Sequence, residues 1–154
     1  MAAPTEDPIA AWKSIVGLVH AHIDGRTEAD LDRREDSESL TPRELVHHIV
    51  EANVVAASIV IAALGSPGCV YDWSWMLPFG PWLERMRYAD KPIGPALKLF
   101  EALNEYVVAQ VSPLPDGLQR AVLLVDQPGA APRRTTVGGV LLQEAEHARE
   151  HLAS

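Results

Sequence analysis

A long apolar segment with a clear start constrains the fold of this chain more than any other feature. Thr41-Pro42-Arg43-Glu44 has the form of a helix capping box with proline at the first helical position. Apolar residues then recur at three- and four-residue steps until Gly65-Ser66-Pro67-Gly68 ends the pattern. The spacing predicts a helix over 42–64, whose buried face is formed by Leu45, His48, Ile49, Ala52, Val55, Ala56 and Ile59. Such a face must pack against other elements.

Three further segments have helical apolar periodicity. One runs from Pro8 to about Asp24, one from about Pro95 to Val111, and one starts after Thr135 or Thr136 and continues to the end. Four amphipathic helices within 154 residues predict an all-α protein with a single domain over 1–154. The expected architecture is a four-helix bundle.

Two connections are more than plain loops. Residues 66–95 contain six of the nine aromatic residues, namely Tyr71, Trp73, Trp75, Phe79, Trp82 and Tyr88. So much apolar surface must pack on something. We expect it first to cap the core, with a lid over a pocket or a subunit contact as alternatives. Residues 119–136 predict either a small β-hairpin, pairing 121–125 with 133–136, or an extended arm before the last helix.

Composition excludes several classes of partner. Thirteen basic against twenty-one acidic residues give a net charge of −8, and no Lys/Arg cluster offers a surface for nucleic acid or an anionic membrane. The single cysteine, Cys69, forms no intramolecular disulfide and fits a reducing compartment. The first residues lack a signal-peptide pattern, and the longest apolar run, 54–64, is too short to span a bilayer. We therefore predict a soluble cytoplasmic protein.

The histidines are the residues best placed for chemistry. His147 and His151 are four apart, which stacks both imidazoles on one face of the last helix. His48 lies within the apolar face of the 42–64 helix. His47 is turned by about 100° toward Glu44 and Glu51, so periodicity selects His48 as the buried one. Three imidazoles from two facing helices can hold one metal ion and leave a coordination position open for water or substrate. Imidazole suits zinc, nickel, iron(II) or copper.

Plainer interpretations compete with this one. A lone histidine on an apolar face is usually a core residue with one hydrogen bond, and histidine pairs four apart also occur on surface helices. Glu144-x-x-His147 and Glu44-x-x-His47 are typical of dinuclear carboxylate sites in bundles. Glu44 is better explained by its capping box, and the further carboxylates such a site needs, Glu101 or Glu105, do not share the apolar face of their helix. The mononuclear site is therefore favoured.

The sequence resembles the DinB/YfiT-like proteins at two places. Residues 40–49 resemble the start of that family's second helix, where a T-x-x-E-L-x-x-H stretch carries the first metal histidine. Residues 136–152 resemble its last core helix, with an H-x-x-x-H pair. Order and spacing agree from about Trp12 to Leu152. The resemblance implies a four-helix bundle, often dimeric, with a divalent metal on His48, His147 and His151.

Members of that family with known activity are transferases and isomerases that use low-molecular-weight thiols, and others are regarded as metal-dependent hydrolases. We therefore predict a metal-dependent enzyme with a small-molecule substrate, zinc or nickel as the metal, and a low-molecular-weight thiol as co-substrate. Metal-assisted hydrolysis is the second reaction. Glu144, one turn before His147, is the candidate catalytic residue, either to orient a ligand imidazole or to move a proton, and an exposed carboxylate is its plainer interpretation. The expected assembly is a homodimer. The alternative function is a non-catalytic dimeric binding module.

Overall fold

Four long helices form the bundle in the computed structural model, which describes residues 5–152. They are α1 (Pro8–Ile23), α3 (Pro42–Gly65), α5 (Ile93–Val111) and α6 (Val137–Leu152). The connections add two short helices, α2 (Glu28–Leu31) and α4 (Phe79–Met86), and three strands, β1 (Val70–Asp72), β2 (Ala121–Val125) and β3 (Arg133–Thr136). The predicted four-helix bundle is confirmed, with its helix bounds moved by one or two residues.

Local side-chain caps set the helix starts. Thr41 Oγ1 accepts from the Glu44 backbone N–H, and Glu44 Oε1 accepts from the Thr41 N–H, each at 3.1 Å. The capping box therefore exists as the sequence indicates, and it satisfies two amides that the first turn leaves free. At α1, the Asp7 carboxylate accepts from the backbone of Ile9 and Ala10. These caps fix where α1 and α3 enter the bundle.

The core lies where α1 and α3 pack against α5 and α6. A reciprocal pair of hydrogen bonds joins α1 to α5. Trp12 Nε1 donates to the Asn104 carbonyl at 3.2 Å, and Asn104 Nδ2 donates to the Trp12 carbonyl at 2.9 Å. Trp12 is fully buried and Asn104 nearly so. The pair thus places polar groups inside the bundle without leaving them unsatisfied.

The helix α3 is long and apolar enough, by length and composition alone, to cross a membrane. In the structure it packs against α5 and α6 as a core helix. Its buried surface includes Arg43, whose guanidinium pairs with Glu28 and Asp32 and donates to the Lys91 carbonyl. The charged connection before α3 therefore forms the short helix α2 and provides two carboxylates that pair with a buried arginine. Its composition alone indicates only a solvated surface.

A three-stranded sheet covers one side of the bundle. Strands β2 and β3 are antiparallel, with Ala121 opposite Thr136 and Leu124 opposite Arg133. The hairpin alternative is thus correct and the extended arm is wrong. Strand β1, which the sequence analysis did not predict, pairs in parallel with β2, with Val70 opposite Leu123. The chain between these two strands contains α4 and α5.

The aromatic connection covers a second face of α3 and overturns one prediction. Tyr88 is fully buried, donates to Glu51 Oε2 at 2.7 Å, and stacks on the His47 ring with centroids 5.5 Å apart. His47 Nε2 donates to the Lys91 carbonyl at 3.2 Å. His47 is therefore buried, while His48 is only partly buried. His48 does lie on the face of α3 that packs toward α6, but the prediction that it is the more buried of the two histidines was wrong. Periodicity within one helix does not reveal a segment that covers its other side.

Candidate metal centre

The three predicted histidines meet at the contact between α3 and α6. Their ring centroids are 5.0 Å apart for His48 and His147, 4.8 Å for His48 and His151, and 4.7 Å for His147 and His151. One nitrogen from each ring lies within 4.8 Å of the other two. The i, i+4 spacing on α6 places its two rings side by side, and the packing of α3 brings the third ring to them.

The donor set fits a small divalent ion. His48 Nε2 and His147 Nε2 are 3.1 Å apart. Zinc–nitrogen distances of about 2.0–2.1 Å in a tetrahedral site require ligand nitrogens about 3.3 Å apart, so these two atoms are already near that separation. His48 Nδ1 is buried without a hydrogen-bond partner among the residues described. Because His48 Nε2 is the nitrogen that faces His147, the fit to an ion depends on the Nε2 atoms and not on this unpaired Nδ1.

Glu144 supports one of the three rings. Its Oε1 lies 3.4 Å from His147 Nδ1 and accepts a hydrogen bond of 2.9 Å from Asn53 Nδ2. The Glu144 side chain is 12% exposed, so the interpretation as an exposed carboxylate is wrong. A carboxylate beside Nδ1 favours the Nδ1–H tautomer of His147 and leaves the Nε2 lone pair directed at the cluster. Metal-binding histidines commonly have such a partner.

The environment keeps two of the imidazoles neutral. Burial, followed by the charges of His147 and His151, lowers the pKa of His48 to about 3. Burial and the His147 charge also lower the pKa of His151. Burial acts on His147 in the same direction, but the hydrogen bond and negative charge of Glu144 outweigh it and raise that pKa. Neutral imidazole is the form that binds metals, and His48 and His151 adopt it at neutral pH.

A cavity of about 500 Å³ opens beside the histidines. One wall is the face of α3 from His48 to Ile59, and α6 forms the opposite wall. The aromatic connection and β2 complete it with apolar side chains, namely Trp73, Met76, Leu77, Phe79 and Leu124. The Phe79 ring lies 4.5 Å from the His48 ring. The connection thus both caps the core, through Tyr88, and walls the pocket. Its role as a subunit contact stays a prediction.

A polar group of side chains borders the cavity near the sheet. Arg133, which lines the cavity, pairs with Asp126 and donates from Nη2 to Gln143 Oε1 at 3.0 Å. Trp73 Nε1 donates to the other Asp126 oxygen at 3.0 Å. These residues could not be identified from the sequence, because their proximity depends on the β2–β3 pairing and on the path of the connection.

The alternative dinuclear site does not form among residues 5–152. Glu44 caps its helix and pairs with Arg34, and Glu101 pairs with His20. Cys69 is partly buried and packs against the core, as expected of a small apolar residue. Asn53 is a site residue that sequence reasoning missed. An asparagine inside an otherwise apolar helical stretch was the feature that could have revealed it.

The fold and the cluster together define a four-helix bundle with three histidines at the edge of a cavity that is open to solvent on one side. No protein-family model and no curated protein matches the sequence. Among solved structures, the chain is similar to YfiT from Bacillus subtilis, with a TM-score of 0.76 at 17% identity over 99% of this chain and 88% of that one. YfiT is described as a probable metal-dependent hydrolase with an unusual four-helix bundle topology. The expected likeness to DinB/YfiT-like proteins is confirmed for the fold.

Proposed function

We propose that this protein is a metal-dependent enzyme that holds one divalent ion on His48, His147 and His151. The observation that carries the proposal is the convergence of three imidazole nitrogens within 4.8 Å of one another beside a 500 Å³ cavity. Three protein ligands are the number typical of catalytic sites, since a coordination position stays open. A divalent ion supplies Lewis acidity, which lowers the pKa of a bound water or thiol.

The surrounding side chains have separable tasks in this proposal. Glu144 holds His147 through Nδ1. Because its Oε1 already faces both Asn53 and His147, we assign it to orienting the imidazole, the first of its two expected roles, and not to proton transfer. The apolar wall formed by Trp73, Leu77 and Phe79 binds the body of a small substrate and excludes water from the reacting end.

Thiol-dependent transfer or isomerisation is the leading reaction. A thiol held by an ion on these histidines would lose its proton to solvent without a general base, which agrees with a Glu144 whose Oε1 already faces Asn53 and His147. Metal-assisted hydrolysis is the second reaction, supported by the description of YfiT. Zinc or nickel as the metal, a low-molecular-weight thiol as co-substrate, a cytoplasmic location and a homodimer all stay predictions.

Metal content tests the proposal directly. Elemental analysis of protein purified without a His tag should find about one divalent ion per chain in the wild type and none in His147→Ala. His47→Ala is the matched control, because His47 is next to His48 on α3 but contacts Tyr88 and Lys91. That variant should keep its ion.

The outcomes separate the enzyme from the alternative function. A wild type that takes up no ion after dialysis against zinc or nickel would contradict the proposal and leave a helical binding module. Retention of the ion by His147→Ala would place the metal elsewhere. An ion bound as expected justifies two screens, one for transfer to small thiols and one for hydrolysis, each with His48→Ala as the inactive reference.

A further inference from the structure

Asn53 is a fully buried polar side chain that contacts the histidine cluster through Glu144. It lies on α3, and its Nδ2 donates to two oxygens: the Ile49 carbonyl one turn earlier at 3.0 Å, and Glu144 Oε1 on α6 at 2.9 Å. A backbone carbonyl and an ionised carboxylate only accept hydrogen bonds. The orientation of the amide follows from them, because only its NH₂ group can face both.

One carboxylate oxygen joins this amide to the cluster. Glu144 Oε1 receives the Asn53 hydrogen bond and is also the oxygen 3.4 Å from His147 Nδ1. The contact holds the carboxylate against the α3–α6 interface, where it would otherwise be free to turn toward the cavity that Glu144 also lines. The helix that carries His48 therefore also sets the position of His147 on the opposite helix.

The other end of the amide argues against a purely structural role. Asn53 Oδ1 is buried and has no hydrogen-bond partner among the residues described. An unsatisfied buried acceptor lowers stability, and an apolar side chain of similar size would avoid the loss. Asn104 provides the contrast, since this second buried asparagine holds α1 to α5 through its bond to the Trp12 carbonyl. The Asn104 donor thus joins two helices away from the cluster, whereas the Asn53 donor contacts the carboxylate beside His147 and its own acceptor has no partner among the residues described.

We propose that Asn53 is a positioning residue of the metal centre. It holds Glu144 so that the carboxylate accepts from His147 Nδ1–H, which keeps His147 in the tautomer whose Nε2 binds the ion. The inference rests on the proposed metal site and adds to it a residue outside the ligand set. The part of Asn53 that matters is its donor group.

Paired variants test this role. Asn53→Leu removes the donor next to the site, and Asn104→Leu removes the equivalent donor between α1 and α5. Zinc affinity is measured by competition with a chromophoric chelator, and stability by thermal unfolding of the metal-free proteins. We expect Asn53→Leu to bind zinc about 10-fold more weakly, the low end for partners of metal ligands, because it acts through Glu144. Its melting temperature should also fall, because the Glu144 carboxylate loses its donor. Asn104→Leu should melt lower and keep the wild-type zinc affinity.

A second readout does not depend on metal. Nitrogen-15 NMR of the metal-free protein, at a pH where His147 is neutral, reports which ring nitrogen carries the proton. The wild type should be mostly Nδ1–H, and Asn53→Leu should shift toward Nε2–H. Should Asn53→Leu fail to fold, Asn53→Ala takes its place, since it removes the amide without adding bulk.

The outcomes distinguish this inference from the proposed function. Zinc binding by the wild type together with unchanged affinity and tautomer in a folded Asn53 variant would overturn the role of Asn53 alone. Absence of zinc binding in the wild type would overturn the metal site and, with it, this inference. An equal loss of affinity in Asn53→Leu and Asn104→Leu would also overturn it, because a general effect of stability would then explain both.

Discussion

An ion pair between α1 and α5 gives the protein a pH-dependent contact outside the cavity. His20 Nε2 pairs with Glu101 Oε1, and His20 Nδ1 lies 3.5 Å from Asp24. The hydrogen bond to Glu101 raises the pKa of His20 above its ordinary value of 6.5. A pKa raised by folding contributes stability that is fully present below 6.5 and is lost as pH rises through the raised value. Both side chains are more than a third exposed, so solvent screens the pair and its contribution to the free energy of unfolding is small.

Glu101→Gln should therefore lower the melting temperature at acidic pH, where His20 is charged. The difference from wild type should shrink as pH increases and vanish once His20 is neutral in the folded wild type. Differential scanning calorimetry between about pH 5 and pH 9 covers the transition. Glu105→Gln, on the same helix, is the control and should show no pH-dependent difference. A Glu101→Gln effect that is constant with pH would mean that the pair does not govern this stability.

At the residue scale, sequence reasoning selected the three histidines that cluster but not their surroundings. His48, His147 and His151 follow from helical spacing, which is local and regular. The burial of His47 was missed, because it comes from Tyr88, forty-one residues further along the chain and in an irregular segment. Asn53 was missed for a related reason. Its meaning depends on Glu144, which the chain brings to it only through the packing of α3 on α6.

The aromatic connection is the element on which the cavity depends. Tyr88 anchors it to α3, since its hydroxyl donates to Glu51 at 2.7 Å and accepts from Trp82 Nε1 at 2.9 Å. Tyr88→Phe removes this hydroxyl and leaves both partners without their hydrogen bond. We expect the free energy of unfolding to fall by about 0.5–1.5 kcal/mol, the usual net contribution of a hydrogen bond, because Glu51 and Trp82 are partly buried and can bind water instead. Urea denaturation of the metal-free protein measures it.

A matched variant separates the effect of the Tyr88 hydroxyl from the effect of any Tyr-to-Phe substitution. Tyr106 on α5 is 49% exposed, so Tyr106→Phe should change the free energy of unfolding by less than about 0.5 kcal/mol. Because Phe79 of the same connection lies against His48, loosening the anchor should also increase water access to the histidines. Equal effects of the two substitutions would show that the Tyr88 hydroxyl does not fasten the connection.

At the element scale, prediction succeeded where the determinants are local. The capping box, the proline at the first position of α3 and the apolar periodicity define the helices, and Pro128 to Pro132 marks the turn between β2 and β3. The strand β1 has only three residues and owes its conformation to parallel pairing with β2, more than fifty residues away. Nothing within Val70–Asp72 itself indicates that partner, which is why its pairing could not be predicted.

At the scale of the whole molecule, the cluster joins distant parts of the chain. His48 and His147 are 99 residues apart in sequence and are brought together only in the folded bundle. The unfolded chain therefore has no preformed site, so an ion that binds there stabilises the folded state by mass action. The gain is about 2.7 kcal/mol when the free ion is at one hundred times its dissociation constant.

That linkage gives a prediction for the intact protein. For a chain of this length, the gain should raise the melting temperature by about 5–10 °C over the chelator-treated protein, and the shift should grow with the logarithm of zinc concentration. His48→Ala should lose the shift, because one ligand on α3 is gone, while His47→Ala should keep it even if its own melting point is lower. The wild type could instead bind one ion per chain while its melting temperature does not depend on zinc concentration. The ion would then bind the unfolded chain equally well, or bind at a site that does not connect α3 to α6. Either result would remove the three-histidine cluster as the place where metal binding and folding of the bundle are coupled.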